Sequence, residues 1–163
     1  MTLRRRTFIG KVGSSIAGAS VIGSSIISDN AAGETPRGGR AKIRPRRVRK
    51  GATIGLIATA TAVDSERVSW AVENITRLGF RVKIGRNINQ KFGYFAGTDE
   101  QRADDLNQMF ADESVDAIWC IKGGWGSARI LDLIDYQSII TNPKFLIGYS
   151  DVNSLLNGIY TKT

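Results

Sequence analysis

The fold is indicated most clearly by residues 53–84, which read TIGLIATATAVDSERVSWAVENITRLGFRVKI. Thr53 to Ala58 is a short apolar run, typical of a buried strand. Asp64 then has the position of a helix cap, and Gly79 marks the point where that helix should stop. Between them, one helix face carries Val68, Ala71, Val72, Ile75 and Leu78. Phe80 to Ile84 alternates apolar and basic residues, so the stretch predicts a strand, a helix and a second strand.

The same alternation continues to the end of the sequence. Thr98 and Gln101 have capping-box spacing, and the helix they start should bury Ala103, Leu106, Met109 and Phe110. Val115 to Ile121 is a third predicted strand. The glycine turn 123–126 then leads into a helix that carries Ile130, Leu131 and Ile134.

Pro143 separates that helix from a fourth predicted strand, Lys144 to Ile147, and residues 148–151 lead into a final helix. Strands that alternate with helices predict an α/β fold with a mainly parallel sheet and flanking helices. In such folds, sites lie at the carboxyl ends of the strands.

The positive charge of the protein is concentrated at one end. The net charge is +8, but residues 1–50 hold twelve Lys and Arg against two acidic residues. From Gly51 onward there are eleven basic and thirteen acidic residues. The part that should fold is therefore mildly acidic, which argues against a nucleic-acid partner.

The N-terminal residues have the features of an export signal. Three arginines, Arg4 to Arg6, precede a weakly apolar stretch from Val12 to Ile27, with small residues around Ala32. The arginines followed by Thr-Phe-Ile resemble a twin-arginine signal. A membrane anchor is the alternative, but the stretch is short and rich in Gly and Ser. We expect an export signal at 1–32, a basic linker at 33–50 and a location in the periplasm or cell envelope.

The sequence offers little support for metal, cofactor or disulfide chemistry. It has no histidine, and Cys120 is its single cysteine. Cys120 lies in an apolar run, so we interpret it as a buried small hydrophobe rather than a nucleophile. The carboxylates show no recognisable ligand spacing. We therefore predict no metal and no cofactor.

Two turns that follow predicted strands could carry chemistry. The glycines of turn 123–126 could cradle a phosphate or form an oxyanion hole, although a plain tight turn fits equally well. Ser150 follows the fourth strand, where it could be either a helix N-cap or an exposed nucleophile. The G-x-S-x-G elbow is half matched, because Val152 stands at the second glycine position.

Taken together, five stretches in this order resemble the LD-carboxypeptidase family. They are Gly97–Leu106, Asp116–Ile118, Lys122–Gly126, Asn142–Lys144 and Gly148–Asp151. The family includes murein-tetrapeptide carboxypeptidases and related microcin-immunity hydrolases. The resemblance runs from about Lys42 to Tyr160, and it identifies 51–163 as the N-terminal α/β domain of a two-domain peptidase.

The resemblance implies a function and a set of site residues. Ser150 would be the nucleophile of a Ser-Glu-His triad, and the backbone N–H groups of Gly124 and Asp151 would form the oxyanion hole. We also assign Gly123 and Trp125 to substrate binding. The implied reaction releases D-alanine from the L,D-bond of a murein tetrapeptide through an acyl-enzyme. The murein peptide is the implied partner, a homodimer is possible, and no stable membrane span is expected after signal cleavage.

The sequence also departs from the family pattern. Lys122, Trp125 and Asn153 stand where Arg, Tyr and Thr are common, which could change substrate choice. The glutamate and histidine belong to a C-terminal domain that we expect to be absent from these 163 residues, so the chain alone should be almost inactive. The alternatives are a non-catalytic fragment or muropeptide-binding domain, and a microcin-immunity type amide hydrolase.

Overall fold

The structure, a computed structural model, describes residues 43–163. The expected export signal and most of the linker lie outside the described residues. Residues 43–50 contain neither helix nor strand, and Val48 packs against the apolar core. Within 43–163, no helix has the length and apolar character needed to cross a bilayer.

Four short parallel strands form the centre of the domain. They are β1 (Thr53–Ile57), β2 (Arg81–Ile84), β3 (Ala117–Cys120) and β4 (Phe145–Ile147). Their order in the sheet is β2-β1-β3-β4, and every neighbouring pair is parallel. The predicted α/β class with a parallel sheet is confirmed.

Four α-helices join and cover the strands: α1 (Ser65–Arg77), α2 (Asp99–Ala111), α3 (Tyr136–Thr141) and α4 (Asn153–Lys162). Asp64 caps α1 by accepting the Arg67 N–H at 2.7 Å. Thr98 and Gln101 make both hydrogen bonds of the predicted capping box. These two helix starts are therefore confirmed.

The segment after β3 differs from the prediction. Ser127–Leu133 is a 3-10 helix rather than an α-helix, and α3 follows it as a separate element that was not predicted. The break occurs because the Asp135 carboxylate accepts the Ser138 N–H at 3.0 Å, which starts a new helix. Leu78 also departs from expectation: it lies just beyond α1 and is exposed.

The core has two parts, one on each face of the sheet. Val68 and Ile75 of α1 pack with Ile54 and Leu56 of β1. On the other face, Ile57 meets the second cluster, whose members include Leu106, Phe110, Ile118, Ile130 and Leu155. Helices thus cover both faces of the parallel sheet, which leaves the edge at the strands' carboxyl ends open for a site.

Candidate functional site

The site predicted from the sequence lies where the strand order reverses. The chain leaves β1 toward β2 on one side, while β3 and β4 lie on the other side. Open parallel sheets bind ligands beside such a reversal, at the carboxyl ends of the strands. The turn after β3 contains Gly123 and Gly124, and the turn after the neighbouring β4 contains Ser150.

Ser150 has an unusual backbone conformation. Its φ angle is +59°, and among residues 43–163 no other non-glycine residue has a positive φ. Its side chain caps neither the 3-10 turn that it begins nor α4, so the N-cap interpretation is wrong. A left-handed backbone costs an L-residue about 1–2 kcal/mol. Such strain at an exposed serine between a strand and a helix is typical of a nucleophile turn.

The glycine turn lies directly against the serine turn. A Cβ added to Gly123 would lie 3.0 Å from the Tyr149 carbonyl oxygen and 3.1 Å from the Ser150 Cβ. The absence of a side chain at Gly123 therefore allows the two turns to touch. Of the predicted site residues, Gly123, Ser150 and Asp151 are brought together in this way.

Gly124 has a backbone that only glycine adopts readily. Its φ is +125°, and a Cβ there would lie 1.8 Å from the Thr61 hydroxyl oxygen and 2.9 Å from the Tyr94 hydroxyl. The Thr61 hydroxyl is buried and has no hydrogen-bond partner within residues 43–163. The loop after β1 and the loop that carries Tyr94 thus enclose the glycine turn.

A buried arginine stabilises the glycine turn by donating a hydrogen bond to its backbone. Arg102 of α2 is fully buried, and its Nη1 donates to the Thr59 carbonyl at 2.6 Å and to the Gly126 carbonyl at 2.9 Å. Its other terminal nitrogen pairs with Asp99, which Arg129 also contacts. Burial lowers the pKa of Arg102, and the charge of Asp99 opposes this. Arg102 lies within the helix predicted to start at Thr98, and no spacing in the sequence indicates this role.

Aromatic side chains cluster beside the glycine turn. Trp125 is 59% exposed, and its ring lies 5.5 Å from that of Phe95. The Tyr94 ring meets Phe95 edge-on at 5.8 Å, and the Arg102 and Arg129 guanidiniums lie 5.0 and 5.4 Å from the Phe95 ring centre. Phe95 therefore holds Trp125, the predicted substrate residue, in place, and no sequence pattern indicates this contact.

Other reactive side chains do not join the site. Cys120 is fully buried, and burial raises the pKa of its thiol to about 12, as expected for a small hydrophobe. Lys144 precedes β4, so it lies at the opposite end of that strand from Ser150. Its buried amine donates to the Met109 carbonyl at 2.6 Å, and burial lowers its pKa. Residues 43–163 contain no group of three or more His, Cys, Asp or Glu placed to hold a metal ion.

Comparison with known proteins identifies the family to which this domain belongs. Residues 54–163 match the LD-carboxypeptidase N-terminal domain. The chain is 38% identical over 120 residues to a Bacillus subtilis protein named "Probable murein peptide carboxypeptidase", covering 74% of this chain and 38% of that protein. It is 32% identical over 108 residues to the murein tetrapeptide carboxypeptidase of Pseudomonas aeruginosa, covering 66% of this chain and 35% of that protein.

A solved structure shows the same fold. Microcin C7 self immunity protein MccF, in complex with aspartyl sulfamoyl adenosine, superposes with a TM-score of 0.71 at 33% identity. The match covers 74% of this chain and 37% of that one. The chain thus spans somewhat more than a third of the length of these relatives. Over residues 54–163, it belongs to the LD-carboxypeptidase family and carries that family's N-terminal domain.

Proposed function

We propose that this protein is a serine carboxypeptidase that releases D-alanine from the L,D-bond of murein tetrapeptides. The observation that carries the proposal is Ser150, a strained and exposed serine whose turn touches the glycine turn of residues 123–126. The names of the relatives from Bacillus subtilis and Pseudomonas aeruginosa support a murein peptide as the substrate.

The chemistry proposed for the site proceeds in two steps. Ser150 Oγ attacks the carbonyl carbon before D-alanine, and a base takes the Ser150 proton. The backbone N–H groups of Gly124 and Asp151 stabilise the negative charge that develops on the carbonyl oxygen. The C–N bond then breaks, D-alanine leaves with the proton, and the acyl group remains on Ser150. Water attacks this ester, releases the shortened peptide and returns a proton to Ser150 Oγ.

The proton acceptor is the part of the triad that these residues do not supply. The sequence contains no histidine, and the amine of Lys144 lies at the other end of β4. The family resemblance assigns the base to a histidine oriented by a glutamate, both in a second domain. In the proposal, Ser150 and its two N–H donors are thus one half of the catalytic machinery.

The cell envelope is the proposed location, because murein is found there and residues 1–32 have the pattern of an export signal. Gly123 and Trp125 are proposed to contact the substrate. Trp125 is suited to this role because most of its ring is exposed while Phe95 holds it in place. Exposed aromatic rings bind apolar and planar groups with little loss of side-chain entropy.

The test is D-alanine release by the native gene product, purified from its source cell with an antibody to residues 51–163. We expect release from a murein tetrapeptide, and loss of that release in Ser150→Ala. Ser69→Ala, which changes an exposed serine of α1, is the matched control and should leave the rate unchanged. Binding of the tetrapeptide without release would contradict the proposal and favour a muropeptide-binding domain.

A second candidate is an amide hydrolase that acts on aminoacyl nucleotides. The likeness to MccF, whose solved complexes contain adenosine monophosphate and aspartyl sulfamoyl adenosine, favours it. The proposed export argues against it, because such substrates would be met in the cytoplasm. Hydrolysis of an aminoacyl-nucleotide amide, with no D-alanine release from tetrapeptide, would reverse the order of the two candidates.

A further inference from the structure

The Asp151 side chain links the two turns of the site. Its Oδ2 accepts the Ser127 N–H at 2.7 Å, across 24 residues of sequence. Ser127 begins the 3-10 helix after the glycine turn, and Gly126, the residue before it, makes no side-chain cap for that helix. The cap is therefore supplied by Asp151, the residue that directly follows Ser150.

The peptide group between Gly126 and Ser127, whose N–H is bound by Asp151, is also held at its carbonyl. The Gly126 carbonyl, which belongs to the Gly126–Ser127 peptide, accepts the Arg102 Nη1 hydrogen bond at 2.9 Å. The Ser127 side chain is also buried, with its hydroxyl 3.1 Å from that of Thr59. A peptide group is planar, so fixing its C=O and its N–H fixes its orientation. This peptide group follows Gly124 by only two residues.

We propose that the Asp151 carboxylate is a positioning residue, which sets the distance between the Gly124 N–H and the N–H of Asp151 itself. The proposal rests on the proposed function, because it concerns the two donors assigned there to the oxyanion hole. The Asp151 backbone supplies one donor, and its side chain holds the segment that supplies the other. Glycine at 123 lets the two turns touch, while the Asp151–Ser127 hydrogen bond fixes their position relative to each other.

The role predicts a particular pattern among variants at position 151. Asp151→Asn keeps an oxygen that can accept the Ser127 N–H, although without the charge. Asp151→Ala removes the acceptor and leaves that N–H without its partner. Because an oxyanion forms only in the transition state, misaligned donors should lower kcat and leave KM nearly unchanged.

The first experiment measures the position of the turns without any need for activity. Amide hydrogen exchange of the 163-residue chain is followed by NMR for the native protein, Asp151→Ala and Asp151→Asn. The matched control is Asp135→Ala, which removes a similar carboxylate–amide hydrogen bond at the start of α3. We expect exchange at Ser127 to rise about 10- to 100-fold in Asp151→Ala, as for the loss of a charged hydrogen bond, and less in Asp151→Asn.

The Gly124 amide resonance gives the second readout. Its chemical shift should change in Asp151→Ala and stay the same in Asp135→Ala. The reason is that the hydrogen bond of Asp151 is made to the segment that follows the glycine turn, whereas that of Asp135 is made at the start of α3. Unchanged Ser127 exchange, or an equal change in Asp135→Ala, would overturn the proposal. If Asp151→Ala fails to fold, Asp151→Asn carries the same test, since the weaker hydrogen bond must still raise exchange at Ser127.

The kinetic experiment uses the native gene product. We expect kcat for D-alanine release to fall about 10- to 100-fold in Asp151→Ala, which is less than the loss of a whole oxyanion donor, with partial recovery in Asp151→Asn. If the native product releases no D-alanine, the proposed function is wrong. The exchange experiment alone then tests whether the Asp151–Ser127 hydrogen bond holds the two turns together. An active native product with an unchanged kcat in Asp151→Ala would overturn the positioning role alone.

Discussion

Replacing Gly124 by alanine should destabilise the protein more than the same change at another glycine of positive φ. A Cβ at Gly124 would lie 1.8 Å from the Thr61 hydroxyl oxygen, far inside van der Waals contact. The backbone φ of +125° is also one that L-residues rarely adopt. Gly51 provides the comparison, because its φ is +79° and nothing lies within 4 Å of its added Cβ.

The size of the effect follows from these two contributions. A left-handed backbone costs an L-residue about 1–2 kcal/mol. Overpacking of a close contact adds about 1–3 kcal/mol, because neighbouring atoms must move. We therefore expect the free energy of unfolding to fall by about 2–5 kcal/mol in Gly124→Ala. In Gly51→Ala, where only the backbone contributes, the expected loss is about 1–2 kcal/mol.

Urea unfolding of the 163-residue chain, followed by tryptophan fluorescence, measures both losses. The double variant Gly124→Ala/Thr61→Ala separates the clash from the backbone strain, since it removes the hydroxyl that the new Cβ would meet. We expect the double variant to be at least about 1 kcal/mol more stable than the sum of the single losses predicts. Equal losses of stability in Gly124→Ala and Gly51→Ala would refute the argument that Thr61 leaves no room for a side chain at Gly124. A double variant whose loss equals the sum of the two single losses would refute it as well.

Three further predictions test the site and its support. Ser150→Gly should be about 1 kcal/mol more stable than Ser150→Ala, because glycine adopts a φ of +59° readily; equal unfolding midpoints would contradict the strained turn. Arg102→Met should cost about 3–5 kcal/mol, since it leaves two buried carbonyls without their donor and leaves Asp99 with only the half-exposed Arg129. Arg129→Met, at a half-exposed partner, should cost less than about 1 kcal/mol, and similar losses in urea unfolding would contradict the difference. A hydrogen bond from Arg129 lowers the pKa of Asp99 in the folded protein below its value in the unfolded chain. The ionised Asp99 therefore stabilises the fold at any pH above its unfolded pKa. This stabilisation is lost as the pH falls through the lower pKa of the folded protein, because the carboxylate becomes protonated. The stability deficit of Asp99→Asn should therefore shrink below about pH 4, and a constant deficit in thermal unfolding from neutral to acid pH would contradict this.

The parts of the fold that depend on local pattern could be predicted from the sequence. The four strands, the Asp64 cap and the capping box of Thr98 and Gln101 each depend on residues within a few positions of one another. The split after β3 could not be predicted from periodicity, because the apolar spacing continues through Ile134. The Asp135 cap decides where the chain restarts as α3.

The long-range contacts of the site could not be predicted from the sequence either. The position of Ser150 was predicted, but its φ depends on how β4 and α4 meet. Arg102 has the pattern of an ordinary helix residue, and only the folded structure shows its guanidinium between two carbonyls. The hydrogen bond from Ser127 to Asp151 joins residues 24 apart and leaves no spacing signal.

The central claim is that Ser150 is the nucleophile, and active-site labelling tests it most directly. The native gene product is treated with a fluorophosphonate, digested and mapped by mass spectrometry. We predict phosphonate on Ser150 and a parallel loss of D-alanine release. Phosphonate on a different residue, or D-alanine release that continues after Ser150 is fully labelled, would contradict the assignment.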